Sequence, residues 1–433
     1  MRLAIIGTGI SGLVAARLLG TQHDVTVFEA SDRIGGHTHT REVVRDGRSW
    51  PIDSGFIVYN ERTYPNFMRL MDILGVETQE STMSFSVQDE ASGLEWCGTD
   101  MNALFAQRRN LFKPGFWRMI RDIMRFNREA PTLLDSADER LTLGDYLAQG
   151  GYSQRFIDHY VVPMGAAIWS AAPDQMAAFP ALTFIRFFQN HGMLSVDQRP
   201  TWRVVKGGSC SYIDKLIAPF RDRIRTGSPV TGVRRVAQGV ELTVNDRVER
   251  FDGVVLAVHS DQALRMLADP SQAETDVLGA LPYQRNEAVL HTDERLLPRS
   301  RRAWAAWNYV VPRDPQDTVS VTYDMNTLQG LEAPVRFCVT LNPSQPIDPD
   351  AVIERMTYHH PVFSADGIAA QRRRDEVDGQ RNTHYCGAYW RYGFHEDGVM
   401  SALHVARRFG IESIEAAADP AWQPAPGEPV PVP

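Results

Sequence analysis

The chain has 433 residues, and at about 150 residues per domain that length points to two or three structural units. With 43% hydrophobic and 23% charged residues it can build a large core, which excludes a disordered or fibrous chain. The formal net charge of −8 excludes a general electrostatic grip on nucleic acid, so any anion site must be local.

In chain order, Leu3 to Ile6 reads as a short buried strand, Gly7 to Gly12 as a tight turn, Leu13 to Leu19 as a helix and Val25 to Phe28 as a second strand. This is the βαβ unit that binds dinucleotides. The run from Leu3 to Ala16 after Arg2 has the outline of a secretion leader. Its patterned glycines and the strand that follows favour a cofactor fold instead, and with it cytoplasmic residence.

A change of texture near Met83 opens a second unit, with a strand at Phe85 to Val87 and a helical run from Phe116 to Phe126. Gly207-Gly208, the alternating strand Val240 to Val244 and the apolar strand Gly253 to Val258 read as a return to the first unit. Asn286 to Thr292, Arg302 to Val311, Thr318 to Tyr323 and Arg336 to Leu341 read as strands of the second unit, and His384 to Gly387 as a final return. The expected division is 1–82, 200–280 and 380–418 for a cofactor domain and 83–199 and 281–379 for a substrate domain. A tail from 419 to 433 holds six prolines. No apolar stretch reaches the ~18 to 20 residues that a membrane-spanning helix needs.

The chemistry starts at Gly7-Thr-Gly-Ile-Ser-Gly12, a G-x-G-x-x-G between strand and helix. There Gly7, Gly9, Ser11 and Gly12 let a pyrophosphate approach the backbone and the positive end of the helix. Glu29 ends the second strand 17 residues after Gly12, placed to accept hydroxyls of a ribose and to repel a 2′-phosphate, which disfavours NADP. Ala30 follows it, and then Arg33-Ile-Gly-Gly36 with His37.

The segment Gly7 to Gly36, with Arg33, Gly35, Gly36 and the later Asp53-Ser-Gly-Phe56, resembles the flavin amine oxidase superfamily. Further landmarks of that resemblance are Lys206-Gly-Gly-Ser209, Pro229-Val230, Tyr385-Cys-Gly387 and Gly393-Phe-His-Glu-Asp-Gly398. It implies an α/β fold: a Rossmann-like FAD-binding domain of the amine oxidase type with a discontinuous α+β substrate domain. It also implies FAD as cofactor, with contacts from Val230, Gly387, Glu396, Asp397 and Gly398. A helix starting at Gly398 would point N–H groups at the flavin; a plain loop-to-helix turn is the other reading of that glycine. Cys386 is a candidate for covalent attachment, but noncovalent FAD is the expectation.

Within the superfamily the chain is similar to bacterial oxidoreductases found beside cyclopropane-fatty-acid-synthase-like methyltransferases, and to the flavin domain fused to plant versions of those enzymes. The residues that carry this likeness are Tyr59 to Pro65, Ala167 to Ser170, Phe187 to Gly192, Val289 to Asp293, Trp304 to Asn308 and Gly393 to Glu396. The resemblance implies an apolar or acyl-lipid substrate and a lipid-modifying methyltransferase as partner. Amine oxidases carry a lysine on a substrate-domain strand near the reactive nitrogen. The matching stretch Asn286 to Thr292 has none, and only Lys113, Lys206 and Lys215 occur in the chain. An amine oxidase, a flavin-dependent double-bond isomerase and a non-catalytic flavin subunit stay as alternatives.

Three features keep two readings each. Trp169, Phe179, Phe184, Phe187, Phe188 and Met193 either line a hydrocarbon cavity or pack a core. The basic amphipathic stretch 112–128 either lies on an anionic membrane, here the inner face, or packs on its own domain. His395 and His291 are the catalytic candidates, with His37 and His191 behind them, against a structural role for each. Four dispersed cysteines, Cys97, Cys210, Cys338 and Cys386, show no metal-binding spacing, so no metal is expected.

Overall fold

The computed structural model describes residues 1–135, 138–195, 199–314 and 318–418. The proline-rich stretch 419–433 lies outside the described residues.

A five-stranded parallel sheet forms the first unit, in the order Ile224–Arg225, Asp24–Phe28, Arg2–Ile6, Gly253–Leu256, Thr383–Tyr385. Its strands come from three separate stretches of chain. Each is a short apolar run because both faces are covered, and successive side chains go to opposite faces. Leu3 and Ile5 enter one core with the helices Ile10–Leu19, Pro65–Ile73 and His395–Arg407. Ala4 and Ile6 enter the other, beneath the antiparallel meander Val230–Val236, Gly239–Val244, Arg247–Phe251. The helix Ala365–Arg372 contributes Ala370 to that second core.

The second unit is a seven-stranded sheet in the order Val352–Pro361, Tyr283–His291, Cys338–Leu341, Ser320–Asp324, Trp307–Val311, Phe85–Asp89, Leu94–Cys97. All its neighbours are antiparallel except Trp307–Val311 beside Phe85–Asp89. Helices from Met101 to Asn190 close over one face, and the shared core includes Phe116, Phe126, Phe156, Phe184 and Phe188. The aromatic group around Trp169 is therefore divided. Phe184 and Phe188 stack on each other at 4.1 Å in the core, while Trp169, Phe187 and Met193 line the cavity described below.

Two helix starts differ from the sequence reading. The first helix begins at Ile10, three residues earlier than expected, because Ser11 and Gly12 occupy its first turn, where N–H groups need no helical partner. The last begins at His395, and Gly398 lies inside its first turn. Trp307–Val311 is also shorter than the expected strand from Arg302: Arg301–Ala303 forms a 3-10 turn, held by the Trp304 indole donating to Pro298 O at 2.7 Å.

Candidate functional site

The two units meet around one cavity of about 1620 Å³, well above the ~300 to 1,000 Å³ that suffices for a drug-sized ligand. One end is built on the parallel sheet. Gly7, Thr8, Gly9, Ile10 and Ser11 line it where the first strand passes into the first helix. The ideal Cβ position at Gly9 has nothing within 4 Å, so its backbone faces open space. Gly7 and Gly12 serve packing: a Cβ at Gly7 (φ +104°) would lie 2.4 Å from Ala257 O, and one at Gly12 would lie 2.1 Å from Gly7 O.

Glu29 and Ala30 line the same end. The Glu29 carboxylate is already oriented: Thr8 N donates to one oxygen at 3.0 Å, and Ser31 N and Oγ donate to the other at 3.0 Å each. Arg33 donates to Thr38 O at 2.7 Å and Gly36 O at 2.6 Å, so it braces its own loop while it lines the cavity. A Cβ on Gly36 would sit 2.9 Å from the Cα of Gly9, which puts the two glycine loops backbone to backbone. Val230 lines this end and Gly387 the wall beyond it.

Two helices aim their N-termini at the cavity, since Ile10 and Ser11 open one, and Phe394 and His395 open the other. Positive helix ends favour a diphosphate, or negative charge on a bound ring. Gly398 sets their approach: a Cβ there would lie 2.7 Å from Ile10 Cγ2 and 2.9 Å from Ser11 Oγ. Glu396 accepts from the backbone of Asn66 and Phe67, at 3.2 and 2.8 Å, and so caps the Pro65–Ile73 helix. Asp397 accepts from Tyr392 N at 3.2 Å and Phe394 N at 2.9 Å. Burial raises the affinity of both carboxyls for protons, that of Asp397 to a pKa of about 7. Glu396, Asp397, Gly398, Gly12 and Gly35 are not among the residues that line the cavity; they shape the backbone that does.

The histidines separate. His395 lines the cavity, stacks on Phe56 at 3.5 Å and places Nε2 3.1 Å from Thr38 Oγ1 and 3.2 Å from Tyr212 OH; burial keeps its ring neutral. His291 does not line the cavity. It lies in the seven-stranded sheet, with Nε2 2.7 Å from Thr340 Oγ1 and Nδ1 accepting from Asp293 N. His191 lines the cavity and ties two motifs together, through Thr63 at 3.1 Å and Phe187 O at 2.9 Å. Sequence reasoning missed a larger group. His37 stacks on Tyr358 at 5.0 Å, and His360 and His259 stand 5.6 and 6.3 Å from it. Desolvation, followed by repulsion from neighbouring charges, lowers His259 to about 4 and His360 to about 3. The adjacent pair His359-His360 was the one signal of this cluster in the sequence.

The other end of the cavity is mainly apolar, with Asn127 among its lining. Ile120, Ile123, Met164, Ile168, Trp307 and Leu341 line it together with the Trp169 group, and among the described residues no lysine lines the cavity. The strand Tyr283–His291 carries no lysine, and Asn286 lies within it. Asn286 is buried, bonded to Asn342 at 2.8 Å and 3.3 Å from His360 Nδ1. Cys386 is buried outside the lining, 3.5 Å from Ser11 O, and burial pushes its thiol up to about 12. Among the described residues no group of three or more His, Cys, Asp or Glu is arranged to hold a metal ion.

Residues 10–323 match the family described as flavin containing amine oxidoreductase. The chain belongs to that family. FAD is its cofactor, and the residues present fit it, with an open glycine loop, an oriented carboxylate at the second strand and two helix N-termini on one elongated cavity. A relative named "Probable zeta-carotene desaturase" from Synechococcus elongatus is 22% identical over 346 residues, which cover 75% of this chain and 66% of that protein. The chain spans between about half and two thirds of the length of three curated relatives it matches, with shares of 66%, 61% and 53%. Two solved structures share the fold. Cyclohexylamine oxidase from Brevibacterium oxydans IH-35A has a TM-score of 0.68 at 17% identity, covering 94% of this chain and 99% of its own. A CLA-producing fatty acid isomerase from P. acnes has a TM-score of 0.69 at 18% identity, covering 94% of this chain and 98% of its own.

Proposed function

We propose that this chain is an FAD-dependent oxidoreductase that dehydrogenates an apolar, acyl-chain substrate, a hydride leaving one carbon for the flavin and a proton leaving its neighbour for solvent, so that a double bond forms. The observation that carries this reading is the continuity of the dinucleotide cradle with an apolar, lysine-free chamber. When bound, the flavin supplies the hydride acceptor, with oxygen or another oxidant restoring it. The chain's residues bind, orient and exclude water. Gly9 admits the diphosphate, Glu29 takes the ribose, and the turn from Tyr392 to His395 forms the wall where the cradle passes into the chamber. With Cys386 buried and its thiol held protonated, a noncovalent cofactor is the consistent reading. Imidazoles with a pKa near 4 are poor general bases at neutral pH, so the histidine cluster serves better as a neutral polar wall than as a proton acceptor.

The test is anaerobic mixing of the yellow protein with unsaturated or methyl-branched acyl phospholipids and, separately, with a panel of amines. Loss of flavin absorbance with the lipids and not with the amines is expected, together with a product two mass units lighter. Bleaching by a primary amine or polyamine would establish amine oxidation instead, and product of unchanged mass would establish an isomerase. Absence of turnover with every lipid, combined with co-purification of a methyltransferase, would make the chain that enzyme's flavin-binding partner.

A further inference from the structure

The stretch from Met101 to Arg128 combines features that nothing in the cofactor site requires. Eight large hydrophobic residues are exposed among the described residues, and five of them fall here: Met101, Leu111, Phe112, Trp117 and Met124. Phe112 is 86% exposed and Met101 65%. The same 28 residues hold seven basic side chains and one acid, Asp122, in a chain of net charge −8. Asp122 is buried and pairs with Arg125 at 3.6 Å, so it does little to offset the outward charge.

The helix Pro114–Glu129 has three faces. Phe116, Met119 and Phe126 enter the core. Ile120, Ile123 and Asn127 line the cavity. Trp117, Arg121, Met124 and Arg128, spaced four, three and four residues apart, make an outward stripe that is apolar and cationic together, its last cation paired with Glu129 at 2.7 Å. The indole of Trp117 donates to Leu111 O at 2.9 Å, which fixes the helix to the turn that carries Phe112. Lys113 is drawn below its usual pKa by desolvation and then by Arg109 and Arg155, a sign of how closely the cations crowd. Met101 and Met124 are both exposed and both line the cavity, so the outer apolar patch is continuous with the rim of the apolar chamber.

We propose that this face docks on an anionic lipid bilayer, with Phe112 and Trp117 entering the acyl region, the arginines on the headgroups, and the rim at Met101 and Met124 opening toward the lipid. The proposal deepens the acyl-chain reading above and rests on it for the purpose of docking, since an apolar substrate would pass from bilayer to chamber without crossing water. Charge complementarity selects this occupant, because a second copy of a net-acidic chain would still have to bury the same row of cations.

The experiment uses the FAD-loaded full chain, co-sedimented with vesicles of phosphatidylcholine alone or mixed with phosphatidylglycerol, at low and high salt. Binding to the anionic vesicles at low salt is expected, weakened at least tenfold by high salt, by Phe112→Glu with Trp117→Glu, and by Arg118→Glu with Arg121→Glu. Val248→Glu, at an exposed apolar residue on the meander strand Arg247–Phe251, is expected to bind as the parent does. Flavin absorbance and melting temperature verify that each variant is folded. Equal binding to neutral vesicles, no binding to either, an equal loss with Val248→Glu, or a dimer in solution that the Phe112 substitution dissolves would each overturn the proposal. Because the readout is sedimentation, failure here with lipid-dependent bleaching intact would leave the reaction standing, and the converse result would leave the docking face standing.

Discussion

Gly9 faces open cavity while Gly7 and Gly12 face backbone, and this difference separates binding from folding at one loop. Gly9 has φ −66° and ψ 172°, which alanine adopts freely. Gly9→Ala should therefore melt within about 1 kcal/mol of the parent, yet its methyl group should cut FAD affinity at least tenfold, about 1.4 kcal/mol. Gly12→Ala drives a methyl into Gly7 O and should cost about 1 to 3 kcal/mol of stability before any ligand is added. Thermal unfolding of the apoprotein together with a fluorescence titration of FAD measures both, and equal melting of the two variants would contradict the assignment. The three glycines were legible as a motif from their spacing. Which one meets the ligand was not, because that depends on Ala257, which is 245 or more residues away in sequence.

At the scale of elements, the contact between the helices Ile10–Leu19 and His395–Arg407 holds both N-termini on one cavity, and Gly398 is the point of closest approach. Gly398→Ala should part the helices, lower stability by about 1 to 3 kcal/mol and reduce flavin content on purification; thermal melts and the flavin-to-protein absorbance ratio check this. A variant with full flavin content and parental melting would show that the contact yields easily. The strand-turn-helix-strand opening was readable to within a few residues because an apolar run, a glycine turn and a helical run follow each other without interruption. The histidine cluster was not readable, because the turn at His37, the helix start at His259 and the strand end at His360 are brought together only by the closed fold. Glu396 and Asp397 look like cofactor ligands in a motif, but cap backbone in the fold, for a carboxylate near a helix start satisfies N–H groups as readily as it meets a ligand.

For the whole molecule, buried titrating groups set the response to pH. His37, His191, His259 and His291 are lowered to about 4 and His360 to about 3, all chiefly by desolvation. Unfolded, each binds a proton near pH 6.5, so their contribution to stability is present above that value and is lost as pH falls toward 4. Asp53 and Asp397, raised by burial to about 6 and 7, act the other way, keeping protons that the unfolded chain releases near 4. Five imidazoles against two carboxyls leave a net proton uptake on unfolding. Stability should therefore fall, on the order of 1 kcal/mol or more per pH unit, between pH 6.5 and 5. Calorimetric melts across that range check it, and a melting temperature that holds level or rises on acidification would contradict it.

The parallel sheet takes its last strand, Thr383–Tyr385, from beyond residue 380, beside a strand that ends at Leu256. During synthesis at roughly 5 to 20 residues per second, the edge of Gly253–Leu256 waits several seconds or longer for its neighbour to leave the ribosome. An unpaired apolar edge is a template for aggregation over that interval, so chaperone supply and translation speed should govern the yield of this protein more than the stability of its finished form.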